Sequence, residues 1–138
     1  MPRESTTPDL RELALQMIEA RNRGDLDAYM SHFAPDAVWQ TRYGERLEGT
    51  AAIRSFHEEF TGTFEELSSE LLEFVDVGGG ATFLVVRQGG RPGGSASELY
   101  EHVAFAAVVV NGLIETMTTY SNRDEARAAA ERLAEERG

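Results

Sequence analysis

The stretch LQMIEARNRGDLDAYMSHFAPDAVWQTRYGERLEGT, residues 15–50, decides the fold of this chain. It predicts the end of one amphipathic helix, a corner at residues 23–25, a second amphipathic helix and a strand that contains Trp39. A turn at residues 43–44 and the start of a third helix at residues 49–50 follow. Helices laid over a strand in this order leave an apolar pocket between them, so the stretch indicates an architecture more than a reaction.

Length and composition limit the classes of protein to consider. A chain of 138 residues is long enough for one domain with a full core, and we expect a single domain over residues 1–138. The absence of cysteine excludes thiol catalysis and disulfides and suits a reducing cytoplasm. No apolar run approaches the ~20 residues of a membrane span, and no signal peptide is evident. The net charge of −11 opposes binding to nucleic acid or anionic membranes, so we expect a cytoplasmic protein with neither partner.

Apolar side chains spaced three and four residues apart predict three helices in the first half of the chain. We expect Thr7 to cap the first helix, with Pro8 at its first position. Asp25 should cap the second helix, which must end before Pro35, and Thr50 should cap the third. The predicted buried stripes are Leu10, Leu13, Ala14, Met17 and Ile18, then Leu26, Tyr29, Met30 and Phe33, then Ile53, Phe56, His57 and Phe60.

The second half of the chain is rich in β-branched and aromatic residues and predicts an antiparallel meander. Asn111-Gly112 is a strong hairpin signal, and Gly89–Ser97 is expected to form a mobile loop. Asn122 should cap a C-terminal helix, with Glu125 three residues later. Helices followed by strands indicate an α+β fold. The predicted strands are Glu66–Val77, Ala81–Gln88, Ser97–Val110 and Leu113–Tyr120.

This order of elements resembles the SnoaL-like branch of the nuclear-transport-factor-2-like superfamily, which includes polyketide cyclases, ketosteroid isomerases and limonene epoxide hydrolase. The resemblance is most specific in ARNRGDLDAYMSHFAPDAVW (20–39), at residues 49–50 and in VVNGLIETMTTYSNRDEA (109–126). It implies a cone-shaped, curved antiparallel sheet wrapped around three N-terminal helices, a cystatin-like α+β barrel, with a C-terminal helix. It does not define a reaction, because the superfamily supports many chemistries in one pocket.

The resemblance also implies that the familiar catalytic acids are missing here. The tyrosine and the two aspartates of ketosteroid isomerases fall on Met17, on Thr41, and on Ala104 or Phe105. The arginine of limonene epoxide hydrolase matches Arg87, whereas its two aspartates fall on Gly89 and Thr119. Chemistry by either established route is therefore not expected.

The candidate catalytic residues that remain are Arg87, Glu101 and His102. An unpaired guanidinium among apolar neighbours would be costly, so Arg87 either emerges at a strand end or pairs with an acid. Glu101 and His102 lie on opposite faces of one strand, so only one of them can face the pocket. A bulge at Gly112 would turn Glu101 inward beside Phe105, whereas a two-residue turn would turn His102 inward.

Aromatic and small polar side chains are the candidates for the pocket wall. His57 is either a wall residue or a core-edge histidine that is hydrogen-bonded to the backbone. The three histidines lack the paired spacing of metal ligands, and we predict no metal and no cofactor. The predicted substrate-binding residues are Met17, Trp39, Thr41, Tyr43, Phe56, Phe60, Phe105, Met117 and Thr119.

Three hypotheses about function follow. The first is a SnoaL-like protein that binds or transforms a small ring-containing organic molecule in an apolar, aromatic-lined pocket without the usual acids. The second is an acid–base cyclase, isomerase or epoxide hydrolase that uses Arg87 with Glu101 or His102. The third is a non-catalytic dimerisation module with a filled pocket. In each case we expect a homodimer through the outer sheet face, which a lone small domain would expose.

Overall fold

A computed structural model describes residues 9–137, and the predicted cap residues Thr7 and Pro8 lie outside this range. The order of elements confirms the α+β prediction: within these residues there are three helices, with two strands between the second and third, then a run of four strands and a final helix. The helices are α1 (Leu10–Asn22), α2 (Leu26–Met30), α3 (Thr50–Gly62) and α4 (Arg123–Arg137). The strands are β1 (Phe33–Gln40), β2 (Arg46–Glu48), β3 (Phe64–Gly78), β4 (Ala81–Pro92), β5 (Leu99–Val110) and β6 (Leu113–Tyr120).

The helix starts follow from local capping chemistry. Asp9 accepts hydrogen bonds from two backbone N–H groups of the first turn of α1. The predicted cap at Asp25 is confirmed, since its carboxylate accepts the backbone N–H of Ala28 at 3.0 Å. The predicted cap at Thr50 is wrong: Gly49 precedes the helix with a φ of 88°, a conformation that favours glycine, and Thr50 is the first helical residue.

The six strands form one sheet in the order β2-β1-β6-β5-β4-β3. Strands β1 and β6 pair in parallel and all other neighbours are antiparallel, so the sheet is not wholly antiparallel as expected. The predicted loop from Gly89 is also corrected, because β4 continues through Gly90 to Pro92. A Cβ atom at Gly90 would collide with the backbone oxygen of Glu66, and only glycine permits this close strand pairing.

The β5–β6 hairpin combines the two geometries that the sequence offered as alternatives. Its turn has two residues, Asn111 and Gly112, whose φ angles are 54° and 82°. A bulge follows the turn, because Val108 pairs with Thr116 and Glu115 is left as an extra residue of β6. Beyond the bulge, β5 and β6 therefore pair in the same register that a turn with one more residue would have produced.

This register decides which side chains of β5 face the helices. Phe105 lies opposite Thr119 and belongs to the core beneath the helices. Side chains alternate along a strand, so Glu101 shares this inner face and His102 lies on the outer face.

The sheet is covered on both faces. Helices α1, α2 and α3 pack on the inner face, whereas α4 lies across β4 and β5 on the outer face. There, three buried alanines of α4 pack against Phe83 and its neighbours. The expectation that the outer face would be left bare in a lone domain is therefore corrected for the part under α4. None of the helices in residues 9–137 combines the length and hydrophobicity needed to span a bilayer.

Candidate functional site

Two adjoining cavities lie between the helices and the inner face of the sheet. The inner cavity, about 70 Å³, lies between α1 and the sheet and is lined by apolar side chains that include Met17, Leu84, Val86 and Met117. The side cleft, about 250 Å³, lies beside α3 and is lined by residues that include Thr41, Phe56, Phe60 and Thr119. Four residues line both cavities: Arg21, Trp39, Gln88 and Phe105.

Trp39 is the centre of an aromatic cluster at the junction of the two cavities. Its ring centroid lies 4.7 Å from that of His57 and 5.8 Å from that of Phe105, both in edge-on arrangements. Its indole N–H donates a hydrogen bond to the Thr119 hydroxyl oxygen at 3.0 Å. These contacts fix the indole plane, and the shared wall is therefore rigid and aromatic.

Arg21 brings a positive charge to this aromatic site. Its guanidinium carbon lies 5.3 Å from the Phe60 ring centroid and 5.9 Å from that of Tyr29. Its Nε atom is buried and finds no hydrogen-bond partner within residues 9–137, and none of the ion pairs in that range includes Arg21. Burial lowers the pKa of Arg21, with a smaller opposing effect from Tyr29. A guanidinium nonetheless stays protonated in proteins, so the site contains a cation.

Tyr29 and His57 are the buried titratable pair next to Arg21. The Tyr29 hydroxyl oxygen and His57 Nε2 lie 3.4 Å apart. Burial, and then the charge of Arg21, lowers the pKa of His57 to about 3. Burial raises the pKa of Tyr29 to about 12, against a smaller effect of Arg21. Both groups are neutral near pH 7, so they offer hydrogen bonds without adding charge.

His57 should make the stability of the fold depend on pH. The unfolded chain binds a proton at His57 below about pH 6.5, whereas the folded state keeps it neutral down to about pH 3. The contribution is therefore fully present above pH 6.5 and is lost as the pH falls. We expect the unfolding free energy of wild type, relative to His57→Gln, to drop by about 1.4 kcal/mol per pH unit in this window. Urea titrations at several pH values measure this difference, and a constant difference would contradict the buried, neutral imidazole.

The nine residues predicted to bind substrate all line one of the two cavities. Met17 and Met117 line the inner cavity, and the other seven line the side cleft. Two of those seven, Trp39 and Phe105, also line the inner cavity. Thr41 uses its hydroxyl oxygen to accept the backbone N–H groups of Tyr43 and Glu45, so it holds the turn after β1. Tyr43 is 88% exposed and lies at the rim of the cleft.

The predicted catalytic set is divided between the two faces of the sheet. Arg87 lies on the outer face, where its guanidinium carbon is 3.9 Å from the Tyr100 ring centroid, and His102 pairs with it on β5. Both are exposed and neither lines the cavities, so their placement in the pocket is corrected. Glu101 does line the side cleft and accepts two hydrogen bonds from Arg42, at 3.0 and 2.9 Å. The sheet therefore separates Arg87 from Glu101.

Sequence reasoning missed Arg21, Tyr29 and Gln88 as residues of the site. Arg21 follows Met17 by four positions and so continues the buried stripe of α1. Tyr29 was assigned to the core only. Gln88 follows Val86 by two positions on the inner row of β4, and its buried Oε1 finds no partner in the described part of the chain. Within residues 9–137, no cluster of three acidic or histidine side chains could hold a metal ion.

A helical layer over a curved sheet, with cavities between them, is the architecture of nuclear-transport-factor-2-like proteins. The chain is similar to such a protein of unknown function from Burkholderia pseudomallei K96243 (TM-score 0.72, 16% identity, covering 86% of this chain and 95% of that one). It is also similar to a protein with a ketosteroid isomerase-like fold from Catenulispora acidiphila DSM 44928, in complex with trimethylamine (TM-score 0.72, 15% identity, covering 86% of this chain and 92% of that one). A third similar structure is TerC co-crystallised with polyporic acid (TM-score 0.70, 14% identity, covering 88% of this chain and 97% of that one).

At these identities the likeness concerns the fold alone. No curated protein matches the chain. The SnoaL-like domain family, however, matches residues 14–117, which cover most of the helical layer and the sheet. The chain therefore belongs to the SnoaL-like family, which confirms the resemblance seen in the helix corner and the last hairpin.

Proposed function

We propose that this SnoaL-like protein binds a small ring-containing organic molecule in the inner cavity and the side cleft. The observation that carries the proposal is the aromatic wall that Trp39 and Phe105 present to both cavities. Small-molecule sites are typically concave and lined by apolar and aromatic side chains, with a few placed polar groups. Arg21, His57 and Gln88 are polar groups of the site with a buried atom that has no hydrogen-bond partner within residues 9–137.

The size of the cavities fits a compact ligand. The side cleft, at about 250 Å³, lies just below the roughly 300–1,000 Å³ that is usual for ligand pockets. A molecule of one or two rings would fill the cleft and could extend towards Met17 and Met117 in the inner cavity. The known ligands of similar folds differ in chemistry, since one structure holds trimethylamine and another polyporic acid. The ligand class must therefore follow from the residues of this chain.

Acid–base catalysis is a second candidate function, as a cyclase, isomerase or epoxide hydrolase. The specific observation in its favour is that Glu101 faces the side cleft, where Arg42 holds its carboxylate. Arg87 and His102 have no part in this version, because they lie on the other face of the sheet. Turnover of a cyclic enone or a terpenoid epoxide that falls ~10²–10⁴-fold in Glu101→Gln would support catalysis. Turnover that survives this replacement would exclude Glu101 as the acid–base group.

We also propose that the protein is a cytoplasmic homodimer that pairs through the part of the outer face beyond α4. Arg87 and Tyr100 lie there, and Tyr100 is 37% exposed. Light scattering at micromolar concentration should return the mass of two chains. A monomer mass would remove this part of the proposal and the dimerisation-module hypothesis with it.

Binding can be followed with the protein's own fluorescence, because Trp39 is its single tryptophan. We expect two-ring probes, such as 2-hydroxy-1,4-naphthoquinone, to quench Trp39 emission saturably. Phe60→Ala removes one wall of the side cleft and should weaken binding roughly tenfold. Leu72→Ala alters an exposed apolar residue of β3 outside the cavities and should leave binding unchanged. Failure of every two-ring probe to bind would overturn the proposed function and favour a filled, non-catalytic interior.

A further inference from the structure

Arg21 differs from other arginines of the chain in what surrounds it. Arg42 is paired with Glu101, and Arg54 with Asp27 at 2.6 Å. Arg23, two residues after Arg21, lies in solvent within 4 Å of acidic groups of residues 19 and 25. Arg21 instead is half-buried, its guanidinium lies beside the rings of Tyr29 and Phe60, and no carboxylate of residues 9–137 lies within 4 Å of it.

The polar groups near Arg21 do not compensate its charge. The Tyr29 hydroxyl is engaged with His57, and both side chains are neutral. The last turn of α1, where Arg21 lies, places the negative end of the helix dipole nearby, which favours a cation but supplies no acceptor for Nε. A half-buried guanidinium whose buried Nε has no acceptor within residues 9–137 is costly to the folded state. An anion in the cavities would remove this cost, because guanidinium forms paired hydrogen bonds with planar oxyanions.

We propose that Arg21 is the anion-recognition residue of this site and that the ligand is a ring-containing oxyanion, either a carboxylate or an ionised enol. The inference rests on the proposed function, since the ring of this ligand occupies the wall formed by Trp39 and Phe105. The charged end meets the Arg21 guanidinium. His57, whose Nδ1 atom is buried without a partner in the described residues, and Gln88 supply further hydrogen bonds.

The neutral state of His57 matters for this recognition. A protonated imidazole 3.4 Å from Tyr29 would add a second cation beside Arg21 and would bind anions without discrimination. A neutral imidazole instead presents one donor and one acceptor, which suits a ligand carrying both an oxyanion and a hydroxyl or carbonyl group. Apart from the Arg42–Glu101 ion pair of the side cleft, the site thus combines one fixed charge with directional neutral groups.

Matched pairs of probes separate charge from shape. 2-Naphthoate is compared with 2-naphthamide, and 2-hydroxy-1,4-naphthoquinone, an acidic enol, with 2-methoxy-1,4-naphthoquinone. Quinones are suitable because the chain has no cysteine with which they could react. Calorimetric titration of the full-length protein, at about 0.15 M salt to screen its overall negative charge, gives the affinity for each probe.

We expect at least one anion to bind roughly 10–100-fold more tightly than its neutral partner, as is typical when a buried charged group gains its hydrogen bonds. This preference should disappear in Arg21→Gln and be partly retained in Arg21→Lys, which keeps the charge without the fork. Arg23→Gln, in the same turn but exposed, is the matched control and should retain the preference. Thermal unfolding of each variant checks the fold, and Arg21→Gln should be at least as stable as wild type, because it removes a half-buried charge that has no partner within residues 9–137.

The outcomes distinguish this inference from the proposed function. An anion preference for only the carboxylate or only the enol pair supports the inference and identifies the class. Equal binding of anions and neutral partners by wild type, or a preference that survives in Arg21→Gln, overturns the role of Arg21 and leaves ring binding intact. Absence of binding by all four probes overturns both.

Discussion

Replacing Trp39 with alanine is expected to lower the free energy of unfolding by about 3–5 kcal/mol, as for other large-to-small changes of buried aromatic residues. The indole is 4% exposed, contacts the rings of His57 and Phe105, and donates a hydrogen bond to Thr119. Alanine would join the inner cavity and the side cleft into one larger space and leave the Thr119 hydroxyl without this donor. Urea-induced unfolding followed by circular dichroism measures the loss.

Tyr43 provides the matched control for Trp39. Both are aromatic residues that the sequence assigned to the pocket wall, but Tyr43 is 88% exposed at the rim of the side cleft. Tyr43→Ala should change stability by no more than about 0.5 kcal/mol, the usual range for surface substitutions. A Trp39→Ala loss of similarly small size would mean that the indole is not packed as described.

Phe83→Ala should cause a second large loss, also about 3–5 kcal/mol. Phe83 is fully buried on the outer face of β4 under the alanines of α4. The guanidinium carbons of Arg123 and Arg127 lie 5.3 and 5.8 Å from its ring centroid, so α4 loses both apolar and cation–π contacts.

The site should survive the loss at Phe83, because the sheet separates Phe83 from both cavities. The measurement is urea unfolding, together with probe binding under conditions in which the variant is still folded. Leu72→Ala, at an apolar residue of β3 that is 40% exposed, is the control and should cost much less. Equal losses at positions 72 and 83 would contradict the placement of α4 over β4.

Much of the fold could be predicted because its signals are local. The caps at Asp25 and Asn122, the turn at residues 111–112 and the strand β6 all depend on residues within a few positions of one another. Phe33 was assigned to the second helix but begins β1, since α2 ends at Met30. The apolar pattern there suits either element, and pairing with β6 decides in favour of the strand.

The facing of β4 and β5 could not be predicted, because it depends on contacts between distant segments. Both faces of β4 are apolar, since α4 covers one and α1 the other, so alternation did not show which way Arg87 points. The inward face of β5 depends on the bulge at Glu115, which carries no clear signal in the sequence. A two-residue turn alone would have directed His102 towards the pocket. The extra residue in β6 reverses this, so that Glu101 faces inward and His102 faces outward.

The role of Arg21 in the site could have been predicted from the sequence. It continues the stripe of Met17 and Ile18, and a charged residue on a buried stripe requires a partner or a ligand. The sequence does not reveal that the carboxylates of residues 9–137 all lie away from Arg21, which depends on how α1 packs against β3 and α3. The three-dimensional arrangement thus turns an ordinary helix-terminal arginine into a candidate recognition residue.

The central claim is that the two cavities hold a ring-containing anion against Arg21, and a crystal structure of the protein with 2-naphthoate tests it most directly. We expect the naphthalene ring to lie against Trp39 and Phe105 and the carboxylate to lie within hydrogen-bond distance of the Arg21 guanidinium. A ring in these cavities with its carboxylate directed away from Arg21 would contradict anion recognition. Cavities closed by their own side chains, with the naphthoate elsewhere on the surface, would contradict the account as a whole.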